Sequence, residues 1–435
     1  MRKTTICALV GTALILSGAH PVLGAGFSIY EAGVRATALG GAFTATADDG
    51  SALFYNAAGL SFQERPSFNL HLMTITPQFK FNGQLAKGGA VETGQSDKKI
   101  FPVPGVYYTN NTGNKLAYGV GLYAPFGLGV TWKDGSEWIG RRVSHDVYIE
   151  TIYVTPAVSY LIADGLALAI GLDVAKQKID LTKFSPEPTY GTNAIETTIE
   201  GHSDINVTPS FGLMYRPDDK LSLGVMYHHK KTMNYDDGDA TLNNAIPVDD
   251  PLYSWPANLI AGLGGSDQKL TSELNLPYIL SFGLAYRIQE RLAAEVNYVR
   301  FGWGTFEKLA LDFDNDNLDQ TIHFNYEDTW QLRFGVDYQV MPGKFNLMAG
   351  YVRDNTPQPL AAVSPILPDS DRNDYSLGAQ YRSGAWDFGF TYMVVVGDER
   401  TNVENGEPVR NTTDYPFGTY KSLANIFGLS CGYNF

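Results

Sequence analysis

Cysteine is almost missing from this sequence, which holds Cys7 and Cys431 and no other. Cys7 sits in a segment read below as a removable leader. Cys431 is then alone, and an internal disulfide framework is excluded. No cysteine stands at the leader's end, which excludes a lipoprotein anchor. Positive charge is also scarce: Lys and Arg number 32 against 46 Asp and Glu, for a formal net charge of −14. Such acidity argues against a nucleic-acid partner. Long apolar runs are absent beyond the N-terminus. A spanning helix needs about 20 apolar residues, and uncharged stretches such as Tyr278 to Tyr286 are short or interrupted. The mature chain therefore dissolves in water or crosses a membrane with strands.

Chemical signatures are thin as well. Gly428-Leu429-Ser430-Cys431-Gly432 matches G-x-S-x-G, but that motif needs a following helix and the chain ends three residues later. Asp312, Asp314 and Asp316 resemble a calcium loop without its turn glycine, and His323 stands at the twelfth position in place of glutamate. No cofactor, no metal site and no enzymatic activity are expected.

What is present is an exported, strand-rich chain. Arg2 and Lys3 precede the apolar run Ile6 to Leu16, and Val22-Leu23-Gly24-Ala25 offers small residues for cleavage, so residues 1–24 read as a signal peptide. Its removal leaves 30 basic residues, 32 less two, against 46 acidic, a charge of −16. Gly 45, Tyr 26 and Phe 23 against 18% charged residues is unusual for a soluble exported protein and suits alternating strands in lipid.

Hairpins recur along the chain. SFGLMYRPDDKLSLGVMY, SFGLAYRIQERLAAEVNY, LRFGVDYQVMPGKFNLMAGY and YSLGAQYRSGAWDFGFTY each read strand, tight turn, strand. Trp330, Leu332, Phe334, Val336 and Tyr338 share one face, with Gln331, Arg333, Gly335 and Asp337 on the other. Tyr160, Tyr215, Tyr286, Tyr338 and Tyr381 each precede a short turn, as in an interfacial aromatic girdle. Connections at the opposite end are long: 83–99, 132–144, 184–200, 237–272, 309–325, 354–373 and 398–421. This asymmetry predicts an all-β fold, a transmembrane antiparallel β-barrel of about 14 strands with periplasmic short turns. The strands are expected at 66–82, 100–110, 116–131, 145–162, 166–183, 201–216, 221–236, 273–287, 292–308, 326–340, 345–353, 374–382, 385–397 and 422–435. The last ends on Phe435, resembling the signal read by barrel-assembly machinery.

Residues 25–62 fit none of these strands. DDGSALFYNAAGLSF is irregular yet half apolar, and the segment is rich in Gly and Ala. A barrel of this strand number leaves a lumen that side chains alone do not fill. Residues 25–62 are therefore expected to plug residues 63–435 from inside as an N-terminal hatch of short helices. Pro125, Gly127 and Gly129 weaken the third strand, LAYGVGLYAPFGLGV, because proline cannot donate to a ladder and glycine loosens pairing, which marks either a kink or a place just beyond the membrane band.

Four motifs carry a family resemblance: AGFSIYEAG; ALGGAFTATADDGSALFYNAAGLS; YAPFGLGVTW followed by EWIGRR; and SPILPDSDRNDYSLGAQYR. Together they resemble the FadL/TodX family of outer-membrane transporters for long-chain fatty acids and aromatic hydrocarbons. The resemblance implies a fourteen-stranded barrel, an N-terminal hatch, and lateral release of ligand at a kink in the third strand. It marks Asn56, Ala57, Ala58, Gly59, Ala124, Pro125, Phe126 and Gly127 as hatch and gate. The family's Asn-Pro-Ala reads Asn56-Ala57-Ala58 here, and the missing proline leaves that backbone less constrained.

For ligand binding, PLYSWPANLIAGLGG is apolar in an outer loop and nominates Leu252, Trp255, Leu259 and Ile260. Strict alternation turns His228, Lys230 and Arg333 toward the lumen. There they could anchor a carboxylate or pair internally with Asp337 or Glu295. The expected path runs from the outer loops to a lumen pocket and out sideways through a shifted hatch. The partners are hydrophobic small molecules, outer-membrane lipids and barrel-assembly machinery, and the chain is expected to be a monomer in the bacterial outer membrane. A general porin and a lipid-modifying barrel enzyme are the rival readings.

Overall fold

The computed structural model describes residues 26–410 and 414–435. The leader expected at 1–24 lies outside the described residues. Among them no helix is long and apolar enough to cross a membrane. The rest is a closed antiparallel barrel of 14 strands.

In chain order the wall is β1 (Ser67–Gln84), β2 (Phe101–Asn111), β3 (Leu116–Thr131), β4 (Asp146–Ala163) and β5 (Leu166–Pro186). β6 runs Asn193–His202 and Asn206–Tyr215, β7 runs Leu221–His228 and Lys231–Asn244, and β8 runs Asp267–Leu276 and Ile279–Gln289. β9 runs Leu292–Phe301 and resumes as Lys308–Phe313. Then come β10 (Thr329–Met341), β11 (Phe345–Asp354), β12 (Arg372–Ser383), β13 (Trp386–Gly397) and β14 (Phe417–Asn434). β1 closes the cylinder, pairing with β14 from Ser67↔Asn434 to Gln84↔Phe417. Closure is what lipid demands, since an unpaired backbone group there costs several kcal/mol.

The alternation holds around the wall. Tyr160, Tyr215, Tyr286, Tyr338 and Tyr381 all point outward beside short turns. A second aromatic ring lies at the other end of the wall: Tyr298 beside Trp330, Tyr227 beside Tyr278, and Tyr351 beside Tyr375. Between the rings the outward side chains are apolar, including Leu284, Phe282, Phe334 and Val336. These two girdles bound the lipid-facing band.

Two expectations need correction. β5, β6, β7 and β8 extend well past the band, so the loop expected at 237–272 shrinks to the residues between Asn244 and Asp267. Polar alternation continues there because both faces meet water or loops, so the sequence shows no early stop. Lys230 does not face the lumen. β7 breaks at residues 229–230, the phase slips by one, and Lys230 is exposed outside while Lys231 is buried.

The N-terminal residues lie inside the cylinder. Helix α1 (Val34–Ala38), helix α2 (Ala52–Tyr55) and a 3-10 turn (Ala57–Phe62) are joined by tight turns. Helices this short have almost every backbone group at an end, and the wall both makes room for that backbone and bonds to it. A Cβ on Gly224 would sit 2.1 Å from the Thr44 carbonyl oxygen, and one on Gly283 2.8 Å from the Ala45 nitrogen. One on Gly335 would sit 2.7 Å from the Leu39 oxygen, one on Gly350 2.0 Å from the Gly40 nitrogen, and one on Gly378 2.4 Å from the Ala38 Cβ. Gly224 faces Gly283 and Gly335 faces Gly350 across neighbouring strands, so these glycines form a belt.

Gly350→Val is expected to dislodge the hatch and leave the barrel assembled, because overpacking costs about 1–3 kcal/mol and the hatch is the more weakly held side. Ion conductance in planar bilayers should rise, while the heat-modifiable gel mobility typical of a barrel persists. Ala349→Val, one residue along and facing outward, should leave conductance as it was.

Candidate functional site

The barrel ladder is incomplete between β2 and β3. These strands pair from Val106↔Leu122 to Asn111↔Ala117 and no further. From Tyr123 onward β3 has no partner on β2. Its other edge pairs with β4 but skips a residue between Tyr123 and Phe126, so Ala124 and Pro125 together oppose Ile152. This is a bulge, which bends the strand and increases its twist. On β2, Pro102 and Pro104 fall in the unpaired stretch, where they have no N–H to leave unsatisfied.

The opening is patched by the hatch's first residues. Ile29 N–H donates to the Pro125 carbonyl at 2.8 Å, and Gly127 N–H donates to the Phe27 carbonyl at 2.9 Å. Ser28 pairs with Phe126 as a one-residue bridge. A Cβ on Gly127 would come 2.7 Å from Ile29, so glycine there lets the patch lie close. Behind it is a cavity of about 120 Å³ lined by Phe27, Ile29, Phe101, Val103, Phe126 and Ile426 among others. The lumen wall beside it is apolar, with Met73, Ile75, Val352, Met393 and Val395 buried together. A greasy passage therefore reaches the barrel wall where backbone pairing is missing.

Three of the four sequence motifs, the first, third and fourth, converge here. Phe27 of the first lies edge-on to Trp303 at 4.8 Å and to Phe126 of the third at 6.1 Å. Trp132 and Trp138 stack at 4.2 Å, and the Trp132 indole donates to the Pro365 carbonyl at 3.0 Å. Asp369, in the same outer-loop motif as Pro365, accepts from the Gly26 N–H at 3.0 Å and from the Thr356 hydroxyl at 2.5 Å.

Asn56, Ala57, Ala58 and Gly59 lie elsewhere. Asn56 is fully buried, and its side chain accepts from Ala58 N–H at 3.1 Å and donates to Thr44 and Leu213 carbonyls at 2.9 and 3.0 Å. It thus caps the 3-10 turn, whose first residue is Ala57. Proline is favoured at a first helical position because the missing N–H is unused there, so alanine can take the same place. Asn56 bonds toward β6 and Ala58 toward Ser159 on β4, at 3.2 Å. The structure therefore does not unite this motif with Ala124, Pro125, Phe126 and Gly127 in one site.

Arg333 is buried, but it pairs with neither Asp337 nor Glu295. It donates to Gln331 Oε1 at 2.9 Å and to the Gly40 carbonyl at 2.7 Å, with its guanidinium 4.0 Å from the Tyr30 ring centroid. It is a hatch clamp. Glu295 and Asn297 act likewise: Asn297 Oδ1 accepts from Phe43 and Thr44 N–H at 3.0 and 2.9 Å, and Glu295 from Ala45 and Thr46 N–H at 2.7 and 2.9 Å. Four successive amides of one turn are thus held by β9. Asn297 passed unremarked in the sequence, its polar, lumen-facing position in a strand being the available signal.

His228 Nδ1 lies 2.8 Å from Asp173 Oδ2, and its Nε2 lies 2.9 Å from the Phe54 carbonyl. Lys231 reaches the same Asp173 oxygen at 3.3 Å and sits 4.6 Å from the Tyr153 ring centroid. Lys231 thus occupies the lumen position that alternation assigned to Lys230. In the outer loop, Trp255 and Ile260 of helix α3 (Ser254–Gly262), with Leu252 just before it, pack against Ala194, Ile195, Leu242 and Ile246. Leu259 stays exposed.

A closed barrel with an apolar outer band, a lumen filled by its own N-terminal residues and a patched wall opening defines an outer-membrane barrel with an internal plug. The chain belongs to the outer membrane protein transport protein family (OMPP1/FadL/TodX), whose model matches residues 15–435. It is 24% identical to outer membrane protein P1 of Haemophilus influenzae, over 98% of each chain. It is 21% identical to the long-chain fatty acid transport protein of Escherichia coli strain K12, over 94% of each. Among solved structures, a Pseudomonas aeruginosa FadL homologue matches with TM-score 0.76 and 22% identity, covering 94% of this chain and all of the other. The toluene transporter TodX of Pseudomonas putida matches with TM-score 0.67 and 16% identity, over 96% and 99%. The chain is accordingly an integral outer-membrane β-barrel.

Removing the β9 clamp should loosen the hatch specifically. In Glu295→Ala/Asn297→Ala, four buried N–H groups lose their acceptors, at roughly 1–3 kcal/mol for each group left dry. Hydrogen exchange of residues 43–46 should accelerate by at least an order of magnitude, while the β1–β14 seam keeps its protection.

Proposed function

We propose that the chain passes hydrophobic small molecules, long-chain fatty acids or aromatic hydrocarbons, across the outer membrane by diffusion and releases them sideways between β2 and β3. The observation that carries this reading is the free edge of β3, patched by residues 27–29 over an apolar cavity. Passive movement suffices, because two backbone bonds at about 1 kcal/mol net each and the Phe27 ring contacts at about 0.5–1.5 kcal/mol each are together within reach of thermal opening. Ala124, Pro125, Phe126 and Gly127 shape the opening, and Asn56, Ala57, Ala58 and Gly59 secure the hatch's fixed half. Leu252, Trp255, Leu259 and Ile260 are the outer landing surface, with Leu259 the part left open. His228 and Lys231 lie on the lumen path, and Arg333 holds the hatch.

The porin alternative requires an open lumen, and the buried aromatic cluster around Trp303, Phe306 and Tyr326 supports a gated path over an open one. Lipid around the apolar band and assembly machinery reading β14 complete the set of partners, and the chain works as a monomer.

Deleting Pro125 tests lateral release. It removes the extra residue of the bulge, restores one-to-one pairing with β4, and lets β3 align with β2. Cells relying on this chain should lose most uptake of radiolabelled oleate or toluene, with barrel folding intact. Full uptake by a correctly folded deletion variant would send the cargo through the periplasmic mouth instead.

A further inference from the structure

We propose that the β2/β3 opening is a charge filter, in which Glu31 on the lumen side and Glu150 on the lipid side admit cargo only in uncharged form. The inference rests on the lateral-release reading above and adds the state in which cargo leaves.

The cavity behind the patch is lined by apolar side chains and by three charged ones, Glu31, Glu150 and Arg372. Arg372 is not free to greet an anion. Its Nη2 lies 2.6 Å from Asp354 Oδ2 and its Nε 3.3 Å from Asp374 Oδ2, and all three side chains are almost fully buried. Glu31 is buried as well and forms no salt bridge among the described residues. The lumen side thus presents three carboxylates to one guanidinium.

Other charged groups facing this cluster do not reverse the balance. Asp369, across from Arg372, is a further acid, pushed up to about 7 by burial, and Arg400 beside it is tied to the Asp369 and Gln358 carbonyls. Arg333 also faces Asp354 and Asp374, but its guanidinium is tied to Gln331 and the Gly40 carbonyl. Tyr55, on the hatch beside Glu31, donates its hydroxyl to the Tyr30 carbonyl.

On the outer side, Glu150 stands across from Gly127 on the neighbouring strand and accepts from the Tyr148 hydroxyl at 3.1 Å. Of its cationic neighbours on β5, Lys178 is engaged by Asp180 at 2.7 Å, and Lys176, across from Ile152, stands exposed on the outside. Phe101 stacks on Tyr148 across the gap at 6.0 Å, so the mouth itself is aromatic.

A carboxylate entering this passage gives up water, finds the lumen guanidinium already engaged and meets like charge at Glu31 and Glu150. Each of these disfavours its ionised form. A hydrocarbon or long-chain alcohol meets none of them. A fatty acid must take up a proton from the outer water before the passage accepts it.

The test uses the full-length chain as the sole uptake barrel in cells, with initial rates for tritiated hexadecanoic acid and hexadecan-1-ol from pH 6 to 8.5. The readout is the acid-to-alcohol ratio, which cancels changes common to both. In the wild type the ratio should fall about tenfold per pH unit, following the protonated fraction of an ordinary carboxylic acid. In Glu31→Gln/Glu150→Gln the fall should flatten, raising the ratio at pH 8.5 about tenfold, the scale of one screened charge interaction. Glu150→Gln alone sits at the surface, leaves folding intact and should give part of this effect. A pH-independent ratio in the wild type, or identical profiles in the wild type and both variants, would overturn the filter. If instead neither cargo enters through the chain, or the Pro125 deletion leaves both rates unchanged, it is lateral release that fails, and the filter with it.

Discussion

A buried backbone that is neither helix ladder nor sheet must find hydrogen-bond partners in its surroundings, and the whole interior of this barrel answers that demand. Residues 26–62 turn too often to satisfy themselves. The wall therefore donates and accepts for them: Asn297 and Glu295 take four amides, Arg333 takes the Gly40 carbonyl, and Ser376 bridges the Gly40 N–H and the Ala38 carbonyl, both at 3.0 Å. Side chains can do this only if the backbones come close. The belt of Gly224, Gly283, Gly335, Gly350 and Gly378 allows that approach. Glycine abundance and lumen polarity, which look like separate compositional traits, serve one purpose here.

The same accounting separates the hatch into a more strongly and a less strongly held part. The turn at 43–46 is held by a carboxylate and an amide, and bonds to charged groups contribute about 1.5–3 kcal/mol each. Asn56 adds bonds in three directions. The patch at 27–29 has two neutral backbone bonds to β3 and aromatic packing. Opening the wall therefore costs least if residues 27–29 lift between Gly26, tied to Asp369, and Tyr30, tied to Tyr55, Ser281 and Arg333, and the rest stays seated. A displacement of the entire hatch would break several times as many bonds and expose a row of buried amides.

Much of this was legible in the sequence, and the losses have identifiable causes. Alternation, tyrosine placement and loop asymmetry located the barrel strands, because lipid on one side imposes a period of two. Pro125 marked the β3 bulge for a local reason, the lack of an N–H. Lys230 was misplaced because alternation assumes an unbroken strand, and His229-Lys230 carries no residue that signals a break. The matching break in β8, next to Pro277, did carry one. Arg333 looked like a ligand anchor because its phase is lumenal. Its true partner, a carbonyl of residue 40, is nearly three hundred positions away and chosen by tertiary packing alone. Where the family has its hatch proline, Ala57 begins a 3-10 turn that Asn56 caps, a tertiary detail the sequence did not display.

The aromatic cluster at the opening gives selectivity a physical source. Phe27 touches Trp303, Phe306 and Phe126 with ring centroids 4.8, 5.5 and 6.1 Å apart. Each such pair is worth about 0.5–1.5 kcal/mol beyond burial. On the proposed reading, lifting the patch breaks these contacts before anything passes. Water entering the vacated space cannot replace them and leaves apolar surface wetted, so spontaneous leakage is opposed. A hydrophobic molecule in the same space restores the lost contacts with Trp303 and Phe126, and so offsets the cost of its own passage. The barrier is thus lower for the cargo than for water or ions, and no energy source is needed to keep the outer membrane sealed while it remains permeable to oils.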